Sequence, residues 1–227
     1  MKSVNETVEE PVRLQAGTVV LEGTLGIPAG ASGVVLFAHG SGSSRHSVRN
    51  RAVAAAFRQG GLGTLLFDLL SAQEEAVDAR TTRLRFDIAL LAERLICAVD
   101  WIGSRPEARG LLMGLFGSST GAAAALVAAA RRPAVVGAVV SRGGRPDLAG
   151  AALPAVQAPT LLIVGGDDED VLALNRHAER ELRCENELAI IPGATHLFEE
   201  PGALDKVARL AGDWFIRKLR REQTPTK

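Results

Sequence analysis

Three residue types set far apart along the chain can together break an ester bond: a serine, Ser119, an aspartate from the acidic turn Asp167-Asp168-Glu169-Asp170, and a histidine, His196. Ser119 is central in Gly117-Ser118-Ser119-Thr120-Gly121, a G-x-S-x-G pattern between an apolar run and an alanine-rich run. A serine hydroxyl is a poor nucleophile at neutral pH until an imidazole takes its proton. The imidazole in turn needs an acid behind it, to fix its tautomer and stabilise the imidazolium. Such a centre also needs two N–H donors for the oxyanion that forms. The backbone N–H groups of Thr120 and of Ser41, in His39-Gly40-Ser41-Gly42, are the candidates. The plainer alternative is a tight strand-to-helix corner, which small residues crowd in any fold. Ser118 reads as structural.

The elements must bring these residues together. Residues 12–27 read as two strands around Ala16-Gly17. Short apolar strands then follow at 34–39, 62–68, 110–117, 135–142, 160–166 and 185–191, the pattern of strands buried on both faces. Between them, helices are expected at 48–59, 84–102, 119–132, 171–181 and 203–221, and 71–82 reads as a polar loop. Strands alternating with helices predict an α/β fold with a mostly parallel central sheet of about eight strands and helices on both faces. No repeat or second composition regime interrupts the chain. The expectation is one domain over 1–227, with flexible ends at 1–11 and 222–227.

Ligands in open α/β sheets bind beyond the carboxyl ends of the strands. That rim receives His39 to Gly42, Asp68, Gly117 to Gly121, Ser141 to Arg145, Gly165 to Asp170 and Pro192 to His196. His39, Gly40, Arg142 and Phe198 are the substrate-contacting candidates. His39 is better read as orienting the loop than as the base, and Phe198 either lines an acyl pocket or packs. Arg142 and Arg145 lie on a rim loop, and Arg80, Arg83 and Arg85 stand past the fourth-strand loop. An arginine there binds an anionic part of a substrate or pairs with Glu74, Glu75, Asp78 or Asp147. Asp68 is a second-choice acid, and Asp170 a candidate helix cap. His46 and His177 read as surface residues on helices.

Composition narrows the function classes. The 227 residues carry 26 Lys plus Arg against 26 Asp plus Glu, so no global field draws nucleic acid or an anionic membrane. The two cysteines, Cys97 and Cys184, form no CxxC pair, and the acidic turn at 167–170 has no second cluster to complete a metal site. No metal and no cofactor are expected. Gly40-Ser41-Gly42 lacks the third glycine of a dinucleotide fingerprint, and Gly117 to Gly121 lacks the lysine of a P-loop. The polar N-terminus lacks the apolar core of a signal peptide, and the run 114–130 is too short and interrupted to span a membrane. The expected location is cytoplasmic. Helix 122–130 and the last helix offer a homodimer surface that core packing explains equally well.

The chain order of serine (Ser119), aspartate (within 167–170) and histidine (His196) is that of the α/β-hydrolases. Over residues 12–217 the chain resembles that superfamily, and within it the dienelactone-hydrolase-like group. The resemblance rests on HGSG (39–42), GSSTG (117–121), TLLIVGGDDEDV (160–171) and GATHLFEEPG (193–202). It implies a compact fold without a large lid. Through its G-x-x-D-x-x-V pattern it selects Asp168 as the acid over Asp167 and Asp170, and it implies His196 as the base. The namesake enzymes use a cysteine nucleophile, where this chain resembles their serine esterase relatives. They also carry an arginine shortly after the histidine, where this chain has Leu197-Phe198-Glu199-Glu200. The resemblance implies a serine hydrolase acting on a small carboxylic ester, with thioesters or lactones as further substrates. The alternatives are a lactone hydrolase of the dienelactone type and a non-catalytic member that binds a small ligand in the same crevice.

Overall fold

The computed structural model describes residues 7–220. The expected flexible ends therefore lie largely outside the described residues, although the first strand already includes Glu10 and Pro11. Eight strands form one sheet: β1 (Glu10–Ala16), β2 (Val19–Gly26), β3 (Val34–Ala38), β4 (Gly63–Phe67), β5 (Met113–Ser118), β6 (Val136–Arg142), β7 (Thr160–Gly165) and β8 (Asn186–Ile191). Their spatial order is β1-β2-β4-β3-β5-β6-β7-β8. The β1–β2 and β2–β4 pairs are antiparallel and every later pair is parallel. The order reverses between β3 and β5, so the chain crosses the sheet there and opens a crevice at the strand ends.

The helices are α1 (Val48–Gln59), α2 (Ala72–Thr81), α3 (Ile88–Ser104), α4 (Thr120–Arg131), α5 (Glu169–Glu181) and α6 (Ala203–Leu219). The central strands are buried on both faces, and alternate residues feed two cores. Val34, Leu36 and Ala38 join one with α3 and α4, while Val35 and Phe37 join the other with α1 and α6. In the second core Phe37, Phe57, Phe116 and Phe215 pack with neighbouring ring centroids 5.0–5.7 Å apart. Burying each such side chain contributes about 1.5–3 kcal/mol.

Three boundaries differ from the sequence expectation. The segment expected as a polar loop at 71–82 contains α2. Its start is a capping box, in which Ser71 Oγ accepts the Glu74 N–H and Glu74 accepts the Ser71 N–H. Its end is tied down by Asp78, which accepts N–H groups of Leu84 and Arg85. The helix expected from Leu84 begins instead at Ile88, because Asp87 accepts the Leu90 N–H and sets the cap there, leaving a 3-10 turn over Leu84–Phe86. Lastly, α5 starts at Glu169, so Asp170 lies within its first turn rather than capping it. His46 lies in the turn before α1 rather than on a helix, whereas His177 is on α5, and both are exposed. No helix among the described residues is long and apolar enough to cross a membrane.

Candidate active site

Strand β5 ends at Ser118 and α4 begins at Thr120, so Ser119 alone makes the corner. Its backbone has φ 50° and ψ −122°. A non-glycine residue in such a region costs about 1–3 kcal/mol and persists only where its surroundings hold it. Here the Ser119 N–H donates to Arg142 O (3.4 Å), and Ser119 O accepts from Ala122 N–H (3.1 Å) and Arg145 N–H (3.0 Å). The flanking glycines make room. A Cβ on Gly121 would stand 2.1 Å from Ala38 O, and one on Gly117 would stand 2.4 Å from Ala122 Cα.

The other two residues come from neighbouring strand ends. His196 lies in the loop after β8, and Asp168 lies between β7 and α5. The His196 Nδ1–H donates to Asp168 Oδ2 at 2.7 Å. Asp168 occupies the N-cap position of α5 yet makes no side-chain cap bond, because its carboxylate is turned to the imidazole. Asp167 and Asp170 make no such contact. The two loops are stitched together by Asp167 N–H to Ala194 O (3.0 Å) and Gly166 N–H to Ile191 O (2.8 Å). Glu200 closes the histidine loop, accepting the Thr195 N–H (3.0 Å) and the Thr195 hydroxyl (2.5 Å). These bonds hold its carboxyl below the usual range. Sequence reasoning missed this brace; the five-residue spacing on a histidine-bearing loop was its one available signal.

Ser119 and His196 line one open cleft of about 650 Å³, together with Ser41, Arg49, Arg142 and Leu197. Among the described residues no direct hydrogen bond joins the Ser119 hydroxyl to the imidazole, and such contacts often tighten only with substrate bound. The His39–Gly42 loop presses on the same corner: a Cβ on Gly40 would stand 3.0 Å from Ser119 Cβ. The Thr120 amide belongs to the first turn of α4, whose N–H groups lack intrahelical acceptors. Ser41 sits on the exposed loop beside it.

The remaining candidates divide. His39 is buried, its Nε2 accepting the Leu69 N–H (3.1 Å) and its Nδ1–H donating to Gly40 O (3.0 Å). It therefore orients the loop with both nitrogens engaged. Burial pushes its pKa below 6.5, against the Gly40 bond and the charges of Asp68 and Glu75. Asp68 is occupied by the Arg45 backbone N–H (2.7 Å) and by the Arg45 guanidinium. Phe198 is only 1% exposed and packs in the core, so it is Leu197 that reaches the cleft. Arg145 pairs with Asp147 (2.7 Å) and Arg85 with Asp78, the plain reading for both. Among the described residues Arg142 has no ion-pair partner. It is 8% exposed, and its Nε and Nη1 have no hydrogen-bond partner. Burial, with Arg49 adding repulsion, lowers its pKa to about 10. Among the described residues no group of three or more His, Cys, Asp or Glu side chains could hold a metal.

The Dienelactone hydrolase family matches residues 21–215. The chain belongs to that family. A crystal structure of dienelactone hydrolase from Anabaena variabilis is 59% identical and superposes with a TM-score of 0.93, covering 94% of this chain and 99% of that one. Est1E from Butyrivibrio proteoclasticus is 14% identical with a TM-score of 0.76, covering 92% and 98% of the two chains, a likeness of fold alone. A Mycobacterium tuberculosis protein named provisionally a phosphoribosyl transferase is 55% identical over 211 residues, 93% of this chain and 47% of that protein. The chain thus spans about half the length of the curated relatives it matches.

Proposed function

We propose that this member of the hydrolase family is a serine hydrolase that cleaves small carboxylic esters through an acyl-enzyme. One observation carries the reading: a strained serine at a strand-to-helix corner shares a cleft with an imidazole whose far nitrogen is held by a carboxylate at 2.7 Å. With the proton on Nδ1 fixed by Asp168, the lone pair of His196 Nε2 is free to act as base. It takes the Ser119 hydroxyl proton as Oγ attacks the ester carbonyl. The amides of Ser41 and Thr120 stabilise the resulting oxyanion, each donor lowering the barrier by about 3–4 kcal/mol. The imidazolium then protonates the leaving alcohol as the C–O bond breaks. Water, deprotonated by the same imidazole, attacks the acyl-enzyme and returns free Ser119 and the acid.

The open cleft and the absence of a lid among the described residues favour short acyl groups over long lipids. Lactones fit the same chemistry, with the alcohol remaining tethered to the acid. The transferase name of the mycobacterial relative is not carried over, because less than half of that protein is matched. A fluorophosphonate probe tests the reading. It should label Ser119 stoichiometrically, and the label should vanish in His196→Ala. Ser119→Ala should lower turnover of p-nitrophenyl esters by a factor on the order of 10⁴–10⁶ with the fold intact. Wild-type protein that never labels, yet gains stability from a metabolite, would establish the non-catalytic binder instead.

A further inference from the structure

The cleft contains more positive charge than ester cleavage requires. Arg142 is more than nine-tenths buried on its wall; among the described residues its Nε and Nη1, both shielded from solvent, have no hydrogen-bond partner and no carboxylate pairs with it. An uncompensated buried guanidinium is costly, and a natural fold retains one where a ligand completes it. Arg49 adds a second guanidinium on the same wall. Its Nη1 pairs with the exposed Glu199 at 2.7 Å, while its buried Nε has no partner.

A third source of positive charge is the N-terminus of α1, a twelve-residue helix. Ser47 caps it, accepting the Asn50 N–H on its hydroxyl and the Arg51 N–H on its carbonyl. Val48 and Arg49, both in the cleft lining, are the first two helical residues, whose amides have no intrahelical acceptor. No acidic side chain lies in that first turn, where helices usually place one. Ser41, Ser43, Ser44 and Ser47 line the same cleft.

We infer that the cleft holds a phosphate group of the substrate, with Arg142 as its principal ligand and Arg49 and the α1 N-terminus completing the site. This rests on the ester-hydrolase reading and names its substrate class: a carboxylic ester that also bears a phosphate monoester. A carboxylate offers two oxygens in one plane and satisfies a single guanidinium fork. A dianionic tetrahedral phosphate offers three oxygens in different directions and so meets donors that arrive from several elements.

The test uses inorganic phosphate, methyl phosphate and succinate as probes, titrated calorimetrically into the whole protein. Fluorophosphonate labelling of Ser119 is measured on the same preparations. Methyl phosphate should bind in the micromolar-to-millimolar range and more tightly than succinate. Arg142→Met should weaken that binding at least about tenfold, with Arg142→Lys intermediate. Arg49→Ala, an alteration nearer the surface, should also weaken it and serves if the Arg142 variants fail to fold. The inference is overturned if neither phosphate probe binds, if succinate binds more tightly, or if the folded variants bind as the wild type does. Labelling of Ser119 without phosphate binding would remove this inference and leave the esterase standing. Phosphate binding without labelling would keep the phosphate site but overturn the ester-hydrolase reading, and with it the phosphorylated ester as substrate class.

Discussion

Gly143 lies against the loop that holds His196. A Cβ at 143 would stand 3.1 Å from the His196 carbonyl oxygen and 3.6 Å from its Cε1. Gly143 has φ 50° and directly follows Arg142, whose carbonyl accepts the Ser119 N–H. The serine corner and the histidine loop therefore meet at this residue, although they are far apart in sequence. Gly143→Ala is expected to cost about 1–2 kcal/mol of stability through its left-handed backbone. It should also lower kcat about tenfold or more, because the added methyl presses on the His196 carbonyl and the Phe198 ring and so shifts the histidine loop. Urea unfolding and steady-state kinetics on one preparation would show both effects.

Asp168 stands at a helix cap position and caps nothing. Replacing it with Asn should therefore change chemistry far more than stability. The amide cannot hold the same tautomer, so kcat should fall by a factor on the order of 10⁴ while the melting temperature stays close to that of the wild type. A large fall in melting temperature would mean that the carboxylate supports the fold instead.

His39 makes stability depend on pH. Its native pKa lies below the unfolded value of 6.5, so the unfolded chain binds the proton more readily. The contribution is fully present above pH 6.5 and is lost as pH falls through that value toward the native pKa. Equilibrium unfolding between pH 8 and 5 should show this decline on top of contributions from other groups, and His39→Gln should flatten it.

Arg142 has a signature of its own in the unliganded protein. Its pKa of about 10 leaves it cationic at neutral pH, buried and unpaired. Arg142→Met keeps the length of the side chain and removes the charge. The melting temperature should rise by a few degrees, corresponding to about 1–2 kcal/mol. A melting temperature that falls would point to a structural partner for the guanidinium.

Much of this arrangement is legible in the sequence, for physical reasons that differ by element. The central strands show because a strand buried on both faces must be apolar throughout, as VVLFA and TLLIV are. The serine corner shows because its geometry admits only small neighbours. Helix α2 escapes a reading by apolar periodicity: Asp78 is its one buried residue, held by backbone amides and Arg85. Its Ser71-x-x-Glu74 capping box was nonetheless there to be read. Phe198 and Leu197 show the opposite limit. Adjacent residues on an irregular loop carry no period, and the left-handed backbone at Phe198 (φ 56°) accompanies its burial in the core, while Leu197 meets the cleft. Arg142 was legible as a rim residue but not as an unpaired one, since the absence of a nearby carboxylate is a property of three-dimensional packing.

The strands that deliver Ser119, Asp168 and His196 all lie in the second half of the chain, whereas α1 and the loop that leads into it belong to the first. The α1 side of the proposed phosphate site thus comes from a different stretch of polypeptide than the candidate triad, while Ser41 and Arg142 tie the two stretches together. Substitutions at residues 43, 44 and 46–49, which line the cleft outside the candidate triad, are expected to alter substrate preference without changing the reacting groups, a route to new clients over evolutionary time.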